Sequence, residues 1–479
     1  MIYVIFSIVA FAIFLLFRTI YIRRKYRQNF HESSSVALEQ EQINRFSAAV
    51  TYKTVSHNDI SDFDVSQFSA FVQFLKDSFP HVFSNLEVHI LSDFAIVLTW
   101  RNDNNDRDPV LLYAHYDVVD AYEKSWIYPP FSGTVSENRI WGRGTLDTKN
   151  TVMAIFESIE SLLLESFTPE RTVYFAFGGD EETTGALGAT VIRDYFKEKK
   201  ISFDWILDEG SAVVDGIKSI LSQPIAAIGI SEKGYMNVSV ESNGESGHAS
   251  MPPVIHSVDR FIKALYKIKN RRQSLKMLPE VKSFFKLLSP YTSFPFAIVF
   301  SNLWLFESMM TLLLKKDDTI RALMQTTSVV TKIDVGEKNN VLPAYSKANI
   351  NVRILPGETR KTVLENFITI VNDPYVQIKN SCEIESFDPV SASEIDSKGY
   401  KLIEEAIKRS GPINIVVPLL CNVTTDSKFF SLMSKNIYRF SPMILSSEDR
   451  KTIHSDNESI SFENYSFGIQ FYRYLIRSL

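Results

Sequence analysis

Cysteine is nearly missing from this chain: there are two in 479 residues, Cys382 and Cys421. Two thiols build neither a disulfide framework nor a thiolate zinc site, so any metal must rest on His, Asp and Glu. That donor set suits a catalytic centre better than a structural one. A strong charge of either sign is lacking too. The net charge is -5, and no Lys/Arg-rich run follows the first 30 residues, which argues against nucleic acid as a partner. Neither an internal repeat nor a low-complexity segment is present. Hydrophobic residues at 45% and charged residues at 22% are ordinary for a globular protein, and the length gives room for two or three domains.

Long apolar runs are scarce. The first covers residues 1–17 and is followed by Arg18, Arg23, Arg24, Lys25 and Arg27. A cleaved signal peptide wants a basic start and small residues at the cleavage site, whereas this run passes directly into Phe17-Arg18-Thr19-Ile20-Tyr21. Residues 1–22 are barely long enough to cross a bilayer. An uncleaved anchor is expected there, with a cleaved signal as the alternative and a polar tether over 23–45. Two signs of orientation disagree. The basic flank places the body in the cytoplasm, while four N-x-S/T sequons, at Asn237, Asn422, Asn457 and Asn464, matter only in the secretory lumen. The expectation is a membrane-anchored or secreted protein of open orientation. The second run, 294–314, is interrupted by Asn302 and Glu307 and has Pro295 near its start, which disfavours a span. Core or dimer packing is expected of it, and a wall for an acyl chain is the sharper alternative.

Short apolar runs at 110–114, 172–177 and 206–207 alternate with helix-like segments at 151–164 and 186–198. Runs of that kind fit strands buried on both faces, and their alternation with helices predicts a mostly parallel α/β sheet. Ligands gather beyond the carboxyl ends of such strands, which is where His115, Glu181, Glu182 and Asp208 fall. From about Ser231 the texture changes to half-exposed strands at 235–241, 331–335 and 348–354 with helices at 258–270 and 359–371. Residues 231–390 are therefore predicted to form a smaller α+β domain inserted into a catalytic domain of 46–230 and 391–479.

The chemistry concentrates in five motifs. In I-W-G-R-G-T-L-D-T-K-N (140–150), Gly142 and Gly144 open a loop that delivers Asp147 to the start of a helix. The others are H-Y-D (His115, Asp117), G-D-E-E (Glu181, Glu182), L-D-E-G (Asp208) and T-I-H-S-D-N-E (His454). Each has a bland reading: a satisfied buried histidine, an acidic turn, a surface aspartate. Together, three carboxylates at one strand end repel unless cations neutralise them. Two ions about 3.5–4 Å apart, sharing Asp147, would polarise a scissile carbonyl and acidify a bridging water. Asp117, two residues after His115, can accept from the other ring nitrogen and fix its tautomer. One of Glu181 and Glu182 would be a ligand and the other the general base; spacing does not say which.

The motif set resembles the aminoacylase/carboxypeptidase S family of co-catalytic zinc metallopeptidases, and within it the secreted N-fatty-acyl-amino acid synthase/hydrolase group. Further segments match in the same order, among them P-P-F-S-G (129–133), S-G-H-A-S (246–250), N-V-L-P (340–343), N-V-R-I-L-P-G (351–357) and T-D-S-K-F-F (425–430). Carried over, the resemblance implies two Zn2+ bridged by Asp147, with His115 and Asp208 on one ion and Glu182 and His454 on the other. It implies Glu181 as general base and Asp117 as the partner of His115. The inserted domain resembles the family's lid, a surface for homodimers, in which His248 would stabilise the oxyanion. Arg353, with Asn340, would clamp a substrate carboxylate, and the loop of Thr425 and Asp426 would shape that end of the substrate. The chain departs from the group before Thr425, reading Cys421-Asn422-Val423-Thr424 where the group tends to carry a glycine, so amino-acid preference stays open. The implied function is hydrolysis of N-fatty-acyl amino acids, with condensation as the reverse. Rivals are a membrane-anchored carboxypeptidase on short peptides and a non-catalytic metal-dependent binding protein.

Overall fold

The computed structural model describes residues 1–27, 36–102, 107–216, 221, 223–383 and 386–479, so part of the expected tether, 28–35, lies outside the described residues. At its centre is a ten-stranded mixed sheet. Val110–His115 runs parallel to Val173–Gly178 on one side and to Trp205–Asp208 on the other, and Ile437–Arg439 continues the parallel order. Strand alternation sends successive side chains to opposite faces, and here both faces are covered. Val110, Leu112, Ala114, Val173, Phe175 and Phe177 enter one core, while Leu111, Tyr113, Tyr174 and Ala176 enter another. This double burial is why those segments read as unbroken apolar runs. The sheet is not wholly parallel: Ala95–Trp100 pairs antiparallel with Val173–Gly178, and Glu87–Leu91 pairs antiparallel with Ala95–Trp100. A further strand, Val416–Cys421, pairs parallel with Ile225–Glu232 after a turn closed by Ile413 N–H on Gly411 O.

A second unit is built on a four-stranded antiparallel sheet, ordered Thr327–Val335, Tyr345–Ile354, Gly234–Asn243, Val376–Asn380. The helices Ser257–Lys269 and Arg360–Val371 supply Phe261, Ala264, Val363 and Phe367 to its core. Within residues 231–390 this unit is made of two halves, and the stretch between them does not pack with it. Helices Pro279–Leu288, Phe294–Ser301 and Leu303–Leu314 return to the main sheet, where Val281, Phe285, Leu288, Phe300 and Leu303 pack with Ile225, Ala227, Ile415 and Val417. Their apolar residues need a partner surface, and the core of the small sheet is already filled by its own two helices.

The first 25-residue helix, Ile2–Tyr26, buries only Thr19 and Ile22, and it is long and apolar enough to cross a membrane by length and composition. Two of the four sequons are poor glycan acceptors in the fold. Asn464 is buried, its amide donating to Ile444 O and accepting from Ile444 N, and the Asn237 amide donates to the Tyr235 hydroxyl.

Candidate active site

The loops that follow the parallel strands converge at one end of the sheet, and Asp147 sits among them. Its loop needs glycine: Gly144 has φ 88°, and a Cβ there would lie 2.8 Å from Val118 Cγ1. The Asp147–Thr148 peptide is cis. From below, the buried Glu458 holds the loop, one carboxylate oxygen accepting from Leu146 N (2.7 Å) and Asp147 N (3.3 Å) and the other from Arg143 (2.5 Å). Thr148 Oγ1 donates to His115 O at 2.9 Å, tying the loop to the central strand.

Held this way, Asp147 stands between two imidazoles. One carboxylate oxygen is 3.2 Å from His115 Nε2 and the other 2.9 Å from His454 Nε2. His454 Nε2 also lies 3.1 Å from Glu182 Oε2, and His115 Nε2 lies 3.3 Å from Glu209 Oε1 and 3.9 Å from Glu181 Oε2. Asp117 Oδ1 is 3.2 Å from His115 Nδ1. The same carboxylate accepts the backbone N–H groups of Glu181 and Glu182 at 3.1 Å each and the Ser56 hydroxyl at 2.7 Å. Asp117 therefore orients both the imidazole and the acidic turn.

Charge confirms how crowded the cluster is. Burial and the carboxylates of Asp147 and Asp208 raise Glu209 to about 8. Burial and Asp147 raise Glu182 to about 7, and burial raises Glu181 well above the usual carboxylate range. Asp147 and Glu182 hold the half-exposed His454 up at about 10. Burial opposes the charged form of Asp147, yet the two imidazoles hold its carboxyl well below normal. Like charges this close call for cations. The distances also suit them, because ligand atoms about 2 Å from one ion in tetrahedral array stand roughly 3.3 Å apart. The sets His115–Asp147–Glu182 and His115–Glu181–Glu209 each bring three donor atoms within 4.8 Å of one another. Imidazole and carboxylate donors of this kind fit zinc.

Asp208 is not among them, a correction to the ligand set expected from sequence. Its buried carboxylate turns away and accepts from Ser427 N (2.9 Å) and Glu209 N (2.8 Å). Asp208 ends its strand, and the position facing the imidazole falls to the next residue, Glu209. Asp426 is corrected likewise: it is fully buried and accepts from the Tyr113 hydroxyl at 2.6 Å behind the site. Thr425 does reach the site, lining the cavity with its backbone N–H held by Glu232 (3.2 Å). Arg353, on the small sheet, donates to Thr424 Oγ1 at 2.7 Å and stacks on Tyr235. His248 and Asn340 stand apart, on an exposed two-stranded ribbon where Ala249 N–H donates to Asn340 O. Among the described residues, no hydrogen bond or ion pair links either to the cluster. Two residues that sequence reasoning passed over matter most here, Glu209 and Glu458. Both lie inside quoted motifs, L-D-E-G and T-I-H-S-D-N-E, where Asp208 and His454 drew the attention instead.

A cavity of about 710 Å3 opens over the cluster. Asp147, Glu181, Glu182, Glu209 and His454 form one end, and Ile225, Ala227, Phe284, Leu323 and Leu419 form an apolar wall. A separate cleft at 387–394 and 428–437 holds none of these acids.

The profile of Peptidase family M20/M25/M40 matches residues 111–478. The chain is 35% identical over 452 residues to a protein named probable carboxypeptidase S-like 2 from Dictyostelium discoideum, covering 93% of this chain and 86% of that one. It is 33% identical over 448 residues to the N-fatty-acyl-amino acid synthase/hydrolase PM20D1 of Mus musculus, covering 92% and 88%. In fold it is similar to a metallo-carboxypeptidase of the M20 family from Sulfolobus solfataricus, with a TM-score of 0.66 at 16% identity over 92% of this chain and 99% of that one. A dinuclear metal-binding M20 peptidase from Bacillus subtilis gives 0.54 at 12% identity over 91% and 98%.

Proposed function

The chain belongs to peptidase family M20/M25/M40, and from that premise we propose that it cleaves the amide bond of N-fatty-acyl amino acids at a pair of zinc ions. It is a metal-dependent enzyme of the amidohydrolase/peptidase type. In this reading Asp147, His115 and Glu209 would hold one ion, and Asp147, Glu182 and His454 would hold the other. Bound there, the ions would polarise the scissile carbonyl and acidify a water. Glu181 stands farther from the imidazole of His115 than Glu209 does, which leaves it free to take the proton from the attacking water and hand it to the leaving amine. Arg353 would hold the substrate carboxylate beside Thr424 and Thr425, where a planar guanidinium suits bidentate pairing. His248 and Asn340 would join only when the small domain closes over the cavity.

The observation that carries the acyl specificity is the cavity itself, whose volume is in the range of roughly 300–1,000 Å3 usual for ligand sites. It runs from the acidic cluster to the apolar wall of Phe284, Leu323 and Leu419. Similarity to an N-fatty-acyl-amino acid synthase/hydrolase supports the same substrate, and condensation is its reverse. The second reading, a carboxypeptidase on short peptides, is supported by similarity to the carboxypeptidase S-like protein. Comparing kcat/KM on an N-oleoyl amino acid with that on a blocked dipeptide tests the choice. A large preference for the oleoyl substrate is expected, and a preference for the dipeptide would overturn the acyl reading.

A further inference from the structure

The N-terminal helix is apolar on every side over its first 17 residues, so no single protein face covers it. At about 1.5 Å per residue its 25 residues span roughly 37 Å, more than the ~30 Å of bilayer hydrocarbon. Its polar contacts with the body gather in its last third. Arg18 donates to Ser301 O (3.3 Å), and Arg23 donates to Thr292 O (3.0 Å) and Pro290 O (3.1 Å). The buried Asn302 amide donates to the buried Thr19 hydroxyl at 3.0 Å. Cleavage after residue 22 would strip Asn302 of that partner.

Asn302 is the elbow between Phe294–Ser301 and Leu303–Leu314, which meet at 110°. Arms of 8 and 12 residues extend only about 12 and 18 Å, so neither crosses a bilayer. Their inner faces join the main core through Phe300, Leu303 and Met310. The outer faces leave Phe294, Trp304, Leu312 and Leu313 exposed, and Trp304 stands edge-on to Phe11 of the N-terminal helix at 6.3 Å. The two apolar surfaces are thus continuous. Arg24, Lys25, Lys286, Lys315 and Lys316 flank them, with the Lys286 ammonium over the Tyr26 ring at 4.8 Å. Such a basic and aromatic border suits the level of anionic headgroups. A second copy of the chain could cover the bent pair, but a helix apolar on all sides that buries only Thr19 and Ile22 in the fold suits lipid.

We propose that the retained N-terminal helix and the bent pair form one membrane seat, the helix spanning and the pair lying in the interface, from which an N-acyl substrate dissolved in the bilayer enters the cavity. The route is short: Phe285 packs on Phe300 of the pair at 5.0 Å, and its neighbour Phe284 lines the cavity. The seat stands alone, whereas the entry route rests on the acyl-amino acid reading above.

Full-length protein reconstituted in phosphatidylcholine vesicles with brominated acyl chains tests the seat. Quenching of Trp304 fluorescence, taken as the difference between wild type and Trp304→Phe, is expected. Equal signals in the two proteins would overturn the seat, as would a mature chain that begins after Ile22. Unquenched Trp304 in a stable dimer would overturn it too, by giving the face to a second copy. For the route, Leu312→Glu/Leu313→Glu is expected to lower turnover of a vesicle-borne N-oleoyl amino acid by about tenfold and leave a water-soluble N-acetyl amino acid unchanged. Full turnover of the oleoyl substrate would overturn the route. A double variant that has lost both activities has misfolded, and the single changes Leu312→Gln and Leu313→Gln then decide by the same ratio. Wild type that cleaves neither substrate would refute the acyl reading while the quenching still decides the seat.

Discussion

At the scale of single residues, the division of labour within two acidic pairs decides the chemistry. Glu181→Gln keeps the side-chain shape and removes the proposed base, so turnover should fall about 10²–10⁴-fold while metal content, measured by atomic emission, stays at the wild-type level. Loss of metal instead would make Glu181 a ligand. The pair Asp208 and Glu209 separates in the opposite way. Because Glu209 Oε1 lies 3.3 Å from His115 Nε2, Glu209→Gln should cost one of the two ions. Asp208→Asn, whose carboxylate serves the Ser427 and Glu209 backbone, should keep both and lose stability. Equal metal loss in the two variants would contradict the geometry.

Elements position these side chains rather than merely carrying them. The Asp147 loop hangs from Glu458, which lies four residues beyond His454 and also neutralises the buried Arg143 at 2.5 Å. Removing one member of a buried pair typically costs about 3–5 kcal/mol, so Glu458→Ala should lower Tm. Glu458→Gln, which keeps an acceptor for Leu146 N–H, should restore part of the stability but weaken metal retention at a dilute chelator concentration. Wild-type retention in Glu458→Gln would show that the loop stands without it. The Pro279–Leu314 helices illustrate a different lesson. Their sequence reads as apolar and helical, but nothing local says that they leave the small sheet for Ile225, Ala227, Ile415 and Val417.

Over the whole molecule, the cluster of acids makes stability depend on metal and pH together. With metal stripped, His454 is raised from 6.5 to about 10, so its stabilisation is present below pH 6.5 and lost as pH rises toward 10. Glu182 and Glu209, raised from 4.5 to about 7 and about 8, favour the fold below pH 4.5 and cease to as pH climbs through those values. All three act with the same sign. The Tm of chelated protein should therefore fall between pH 4.5 and 10, and the gap to metal-loaded protein should widen over the same range. Metal binding above pH 7 should release the His454 proton, which calorimetry in buffers of different ionisation enthalpy can count. A gap independent of pH would contradict the cluster as described.

What the sequence by itself determined is whatever depends on local pattern. Continuous apolar runs specified the strands buried on both faces, the paired glycines before Asp147 specified its loop, and the order of the motifs identified the family. What only the tertiary structure decided is direction and company. Successive residues at a strand end point opposite ways, so Asp208 and Glu209 could be told apart only once the strand had a neighbour. Glu458 acquired its task because a distant loop presents unpaired N–H groups to it. The apolar run 294–314 gained its meaning when the fold laid it beside the first helix. Side-chain direction and the contacts of remote segments follow from packing, which local pattern does not encode.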